Sequence, residues 1–195
     1  MPLILGSHSP RRKEILQFFS VPFTQVVSSF PEEEVPFLGD PVAYVTELAL
    51  AKGSTLAKQH PGDAILTADT VVFYQGNVYN KPKDREEAVR FLTELSGQWH
   101  SVFTAVALSF QQEQQALVEE TKLLFHTLTS QQIAHYLDHV NFLDKAGGFA
   151  VQQGGALIVK RIEGCYYNVL GLPLTPLCNL LARIGIDLWE RLSIL

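Results

Sequence analysis

The sequence predicts an α/β or α+β fold built on a mixed β-sheet, and three observations carry that reading. A short apolar run, "LILG", leads directly into a helix-start signal, as in a strand-to-helix crossover. Further capped helical segments are interleaved with strand-forming runs. Two pairs of those runs are separated by turns short enough for hairpins, which a purely parallel sheet does not contain.

In chain order, "LILG" at 3–6 reads as a buried strand ending in glycine. Ser9-Pro10 places an N-cap serine before a proline at the first helical position and predicts a helix over 10–19. "VPFTQVV" reads as a second strand, followed by the polar loop "SSFPEEEVPFLGD". Asp40-Pro41 opens a helix to about residue 59. "DAILTADTVVFYQGNVYN" predicts a long strand, a turn at Gln75-Gly76-Asn77 and a short return strand. Asp84 caps a helix that stops near Gly97. Runs 99–110 and 115–126 form a hairpin with "QQEQQ" at its tip, and "TSQQ" at 129–132 is a capping box opening a helix to about 139. "GGFAVQ", "ALIVKRI" and "CYYNVL" read as strands, and Thr175-Pro176 opens the last main helix, closed by Gly185.

At 195 residues the chain forms one domain, and 47% hydrophobic with 18% charged residues marks it as an ordinary globular protein. A net charge of −5 argues against a duplex nucleic-acid binder but leaves room for a small phosphorylated ligand held by local cations. Cys165 and Cys178 fit neither a zinc spacing nor a disulfide framework, as expected of a reduced intracellular protein. No apolar run reaches the ~20 residues that span a bilayer, so no membrane partner is expected. "MPLILGSHSP" lacks a cationic leader, and the expected setting is the cytoplasm.

The loop "GSHSPRR" offers Ser7, Ser9, helix N–H groups, Arg11 and Arg12 to a phosphate, at a strand-to-helix junction where open α/β sheets bind ligands. The bland alternative is a polar turn and a solvated cationic helix face. Cations in a first helical turn cost about 0.3–1 kcal/mol each unless an anion sits there. Arg12→Ala is therefore expected to leave the free protein as stable or slightly more stable. Lys52 shares one helix face with Val45, Leu48, Ala49 and Leu56, so it either snorkels to the rim or points into a cleft. Asp69 interrupts a strand and alternates onto one face with Ile65, Thr67, Val71 and Phe73; a carboxylate buried there must be paired or bound. Lys81, Asp144 and Lys145 read as loop charges, more often solvated than not. Gln152 ends an apolar strand, where its amide can both donate and accept. The histidines show no metal-ligand spacing.

Taken together, "SHSPRRKEIL", "ADTVV", "NKP", "SGQWHSVFTAVAL", "LDKAGGFAVQ" and "GCYYNVLGLPL" stand in an order and spacing that resembles the Maf family of nucleoside triphosphate pyrophosphatases, from about Leu3 to Ile184. The resemblance implies an elongated mixed sheet flanked by helices, with two lobes around a central cleft, similar to inosine-triphosphate pyrophosphatases. It implies hydrolysis of a nucleoside triphosphate between the α and β phosphates with Mg²⁺ or Mn²⁺. By position, Asp69 matches the proton acceptor, and Arg11, Thr70 and Gln152 match substrate-discriminating positions of the dTTP/UTP branch. Ser7, Arg12, Lys52 and Lys81 match other cleft residues, and Glu32 falls where an acid meets the metal, with Asp69 as the second metal candidate. "ADT" at 68–70, where 7-methyl-GTP members carry "SDQ", places the chain with the dTTP/UTP branch. The family also implies a homodimer, and its rival readings are hydrolysis of 7-methyl-GTP or inosine triphosphate, or a low-turnover nucleotide-binding regulator of cell division. Gly6 and Gly53 depart from the family pattern, where alanine is common.

Overall fold

The computed structural model describes residues 2–193. Its strands are β1 (Leu3–Gly6), β2 (Phe23–Gln25), β3 (Ala64–Tyr74), β4 (Asn77–Tyr79), β5 (Trp99–Phe110), β6 (Glu113–Phe125) and β7 (Val159–Glu163). They form one mixed sheet in the order β2-β1-β3-β5-β6-β7, with β4 paired to β3. The helices are α1 (Pro10–Leu16), α2 (Pro41–Gln59), α3 (Arg85–Leu95), α4 (Ser130–His139), α5 (Tyr166–Val169) and α6 (Leu174–Ala182). β1 runs parallel to both β2 and β3, so α1 and α2 are the crossover segments that parallel pairing requires. The pairs β3–β5, β5–β6 and β6–β7 are antiparallel. No helix among the described residues is long and apolar enough to cross a membrane.

Local signals explain most boundaries. The Ser9 hydroxyl accepts from the Arg12 N–H, Asp40 accepts from Val42 and Ala43, and Asp84 accepts from Glu87. Thr129 and Gln132 form the reciprocal capping box. The β5–β6 hairpin turns on Gln111 and Gln112 alone, both with positive φ, so the tip is tighter than "QQEQQ" suggested.

Several expected elements differ. α1 ends at Leu16 rather than residue 19, because Phe18 and Phe19 close shorter turns and Phe19 bridges to Leu192. "GGFAVQ" is not a strand. Gly147 and Gly148 take φ of +69° and +73°, and a 3₁₀ turn over Ala146–Gly148 breaks the extended run. Gln152 consequently sits in a loop, preceding a second 3₁₀ turn over Gln153–Leu157. "CYYNVL" yields α5, because Cys165 is anchored through both its N–H and C=O to the Thr121 hydroxyl and Leu170 N–H closes back on Tyr166. α6 starts at Leu174, with Pro176 in its first turn where no intrahelical donor is needed.

Two cores lie on either side of the sheet's middle. One gathers β1, α1 and α6 around Leu5, Leu16, Leu66, Leu177 and Leu180; the other gathers α3 and α4 around Phe91, Leu92, Phe125 and Leu137. A third cluster seats α2 on β3 and β5. The contact of α2 with the sheet is close: a Cβ on Gly6 would lie 2.5 Å from Leu56, and one on Gly53 would lie 2.6 Å from the Ser109 hydroxyl. That explains glycine at two positions where alanine is the more familiar residue.

Candidate active site

The site grows out of an edge left open in β3. β5 pairs along one edge of that strand from Ile65 to Phe73. On the other edge β1 stops at Thr67 and β4 begins at Val72, so residues 68–71 have no strand partner there. Side chains on opposite faces of β3 can therefore both reach the same opening. Asp69 points to the α2 side and Thr70 to the α1 side.

A cleft of about 980 Å³ opens at this notch. Every residue nominated from sequence lines it: Ser7, Ser9, Arg11, Arg12, Glu32, Lys52, Asp69, Thr70, Lys81 and Gln152. It holds six of the chain's 15 Lys and Arg but only four of its 20 Asp and Glu, so the cleft is cationic within an acidic protein.

On the α2 wall, Lys52 does not snorkel to the rim. It is 7% exposed, and its ammonium donates to Asp69 Oδ1 at 2.5 Å and pairs with Glu32 Oε1 at 3.0 Å. Asp69, also 7% exposed, is buried on the face that periodicity predicted. Burial pushes its pKa above the usual carboxylate range; Lys52 and Arg12 pull it down and Glu32 adds to the rise. Asp69 Oδ2 has no hydrogen-bond donor among the described residues and remains open to a ligand or water.

On the α1 wall, Arg12 is not a solvated first-turn cation. Its Nε donates to Gly171 O at 2.7 Å, Nη1 to Ala68 O at 2.8 Å and to Ser7 Oγ at 3.1 Å, and Nη2 to Thr70 Oγ1 at 3.0 Å. Four of its five N–H groups are thereby committed to protein, leaving one for a ligand. The expectation of unchanged stability on its removal is overturned, since these bonds outweigh a first-turn dipole clash. Ser7 Oγ accepts from both Arg12 and the Ser9 N–H at 3.2 Å, so both lone pairs are used and its proton has no protein acceptor among the described residues. Ser7 faces the cleft as a donor, the polarity that suits a phosphate oxygen.

Arg11 reaches across the cleft mouth, its guanidinium donating to Asp144 Oδ2 and Asp144 O at 3.3 Å each. Lys145, 9% exposed, donates to Asp144 Oδ1 at 2.6 Å and to Asn141 O at 2.5 Å. Lys145 is therefore not a solvated loop charge, whereas Asp144 is ion-paired on both sides with its side chain still 40% exposed. Burial pushes the Asp144 pKa up, but hydrogen bonds and charge from Lys145 and Arg11 outweigh it and hold the carboxyl below its ordinary range. Lys81 is exposed at the opposite lip and has no ion pair among the described residues; its loop is held by Asn80, which donates to Tyr44 and accepts from Gly147 N–H. The Gln152 amide likewise has no side-chain hydrogen bond among the described residues.

The donor set fits a hard divalent cation of the kind that keeps several waters. Glu32 and Asp69 each give one oxygen to Lys52 and keep one, and Mg²⁺ is usually held by one or two carboxylates with the rest of its shell from phosphates and water. No cluster of three His, Cys, Asp or Glu occurs among the described residues, so a protein-only cage is not available.

Sequence reasoning missed Thr104 and Asn168. Thr104 Oγ1 donates to Asn168 O at 3.0 Å and contacts Thr70 Oγ1 at 2.9 Å. Asn168, fully buried, donates through Nδ2 to Val102 O and Thr121 Oγ1. An asparagine misread as a strand residue carried no signal of this.

A cationic notch with a buried lysine-paired aspartate and a strand-to-helix loop of hydroxyls defines an anion-binding hydrolase-type cleft on a mixed α/β sheet. The Maf-like protein family model matches residues 2–184, and the chain belongs to that family. The dTTP/UTP pyrophosphatase of Chlamydia caviae is 49% identical over 97% of both chains, and that of Chlamydia trachomatis serovar D is 43% identical over the same share. The nucleoside triphosphate pyrophosphatase of Chlamydia muridarum is 42% identical over 98% of each. Among solved structures, the Staphylococcus aureus Ham1 protein aligns with 80% of this chain and 90% of its own at a TM-score of 0.46 and 13% identity.

Proposed function

We propose that this chain is a nucleoside triphosphate pyrophosphatase that cleaves dTTP and UTP to the monophosphate and pyrophosphate. The observation that carries it is Asp69, buried on Lys52 beside Glu32 at the open edge of β3, with cations on both lips of the cleft. Relatives at 43–49% identity over nearly the whole chain, named for dTTP and UTP, support the substrate.

In this reading the triphosphate lies along the cationic cleft, met by the Ser7 proton, Ser9, the remaining Arg12 N–H and Lys81. Lys52 and Arg12 partly offset the cost of burying the Asp69 carboxylate, which leaves it the more basic. Asp69 Oδ2 takes the proton from a water as it attacks the α-phosphorus and the α–β bridging P–O bond breaks, a role worth typically ~10²–10⁴-fold. While Asp69 Oδ2 serves as base, Glu32 is the carboxylate that would hold Mg²⁺ or Mn²⁺, which when bound supplies neutralising charge on the phosphate oxygens and the leaving pyrophosphate. Arg11, Thr70 and Gln152 read the nucleoside. The free amide of Gln152 can pair with the acceptor and donor of the uracil or thymine O4/N3–H edge. The two free cysteines support a reduced, cytoplasmic setting.

The test is pyrophosphate release over a panel of triphosphates with product identification. The expected outcome is fastest turnover of dTTP and UTP, with monophosphate and pyrophosphate as products. Preference for 7-methyl-GTP or ITP, or release of orthophosphate, refutes the reading.

A further inference from the structure

We infer that Thr104 is a specificity-positioning residue, which commits the Thr70 proton so that Thr70 shows the cleft a lone pair and recognises a hydrogen-bond donor on the nucleotide. The inference rests on the nucleotide reading above and deepens it.

The orientation of both hydroxyls follows from a count of protons. A threonine hydroxyl has one proton and two lone pairs. Asn168 O is a carbonyl and can only accept, so the 3.0 Å bond uses the single Thr104 proton. The 2.9 Å contact between the two threonine oxygens then has only one assignment, Thr70 donating to Thr104. Arg12 Nη2, a pure donor, takes one Thr70 lone pair at 3.0 Å. One lone pair is left, on a side chain that lines the cleft.

The direction is held from behind. Asn168 is anchored through its amide to Val102 O and Thr121 Oγ1, and Thr121 also holds both backbone groups of Cys165. Arg12 ties the end of this segment at Gly171 O and orients Ser7 in the opposite sense, with its proton outward. One guanidinium therefore separates a donating hydroxyl from an accepting one. A lone pair facing a phosphate oxygen would be repulsive, so Thr70 belongs to the nucleoside and Ser7 to the phosphates. On uridine and thymidine nucleotides the donors are the base N3–H, which the reading above gives to Gln152, and a sugar hydroxyl, which is left for Thr70. If UTP and dTTP are both substrates, that hydroxyl is the 3′ one, since the 2′ position differs between them.

Thr104→Val removes the acceptor, frees the Thr70 proton and lets Thr70 turn it into the cleft. Thr104→Ser keeps the relay. Steady-state kinetics would compare UTP with N3-methyl-UTP and with 3′-deoxy-UTP in wild type and both variants. Wild type is expected to discriminate against 3′-deoxy-UTP by about tenfold in kcat/KM, mainly through KM, as for one hydrogen bond. N3-methyl-UTP is the control, since any loss on it reports Gln152 and is expected to be the same in all three proteins. Thr104→Val is expected to lose that discrimination while Thr104→Ser keeps it, and adding Thr104→Val to Thr70→Val should change nothing further. Thr104→Ala, which opens space without branching, carries the same expectation if the valine variant does not fold. The inference is overturned if wild type does not discriminate against 3′-deoxy-UTP, if the valine or alanine variant discriminates as wild type does, or if the serine variant behaves like them. Absence of wild-type UTP hydrolysis would instead overturn the pyrophosphatase reading itself.

Discussion

Arg12→Ala separates a surface cation from a structural clamp. Removing the guanidinium strips donors from Gly171 O, Ala68 O, Ser7 Oγ and Thr70 Oγ1. Bonds from a charged donor contribute about 1.5–3 kcal/mol each when buried, but the two hydroxyls lie at the cleft and water can replace their partner. Counting only the two short carbonyl contacts, and discounting for partial exposure, gives roughly 2–4 kcal/mol. Relief of the first-turn dipole clash returns about 0.3–1 kcal/mol. The net expectation is a loss of about 2–3 kcal/mol, which for a chain of this size lowers Tm by roughly 4–12 °C. Lysine should recover less than half, because it cannot reproduce the planar fork. Thermal melts and urea titrations of the free protein measure this directly, and melts with a non-hydrolysable dTTP analogue measure the binding side. A variant that melts at or above wild type refutes the clamp.

Asp69→Asn should leave the fold intact and lower turnover at least ~100-fold, in line with loss of a general base; near wild-type turnover in the purified variant would remove Asp69 from the chemistry. Gln152→Glu discards the amide donor and should reduce kcat/KM on UTP and dTTP more than about threefold; equal rates across the pyrimidines would place base reading elsewhere. Chelation should abolish turnover, and Glu32→Gln should raise the Mg²⁺ or Mn²⁺ concentration for half-maximal rate; an unchanged metal requirement would clear Glu32 of that role. Burial pushes His100 down to about 4 from 6.5, so between those values the native chain binds fewer protons than the unfolded one and stability falls as pH falls, by about 3 kcal/mol in all. The raised Asp69 pKa acts in the opposite sense above 3.8, so the difference between wild type and His100→Gln isolates the histidine; identical pH dependence of their urea midpoints contradicts the assignment.

What was legible in the sequence was local. Caps at Ser9, Asp40, Asp84 and Thr129, and the alternation that buries Asp69, are read from neighbours a few residues apart, and the structure places them as read. What was not legible depends on pairs distant in sequence. The Arg12 guanidinium leaves its own helix to meet Ala68 and Gly171, 56 and 159 residues away, and no helix-end rule contains those partners. Lys52 sits on an apolar stripe whichever way its ammonium points; only Glu32 and Asp69 decide that it points inward. "CYYNVL" has the composition of a strand, and tertiary anchoring of Cys165 and Asn168 overrides that propensity.

The open edge of β3 explains why the cleft falls where it does. A strand interior ordinarily hides one face and has both edges paired, so a carboxylate in it sees only the core. Here β1 and β4 approach the same edge from opposite ends and fail to meet, leaving four residues rigidly held by β5 yet reachable from the cleft. The rigidity matters because the Asp69 carboxylate and the Thr70 hydroxyl, on adjacent residues, keep a fixed relative geometry, one on each face. The unpaired edge also carries a cost, since backbone groups lacking a strand partner need another. At Ala68 O that partner is Arg12, the same group that orients Ser7 and Thr70. Extending β1 and β4 by two residues each would pair the four open positions and close the site, so the gap in the sheet and the cleft are one feature.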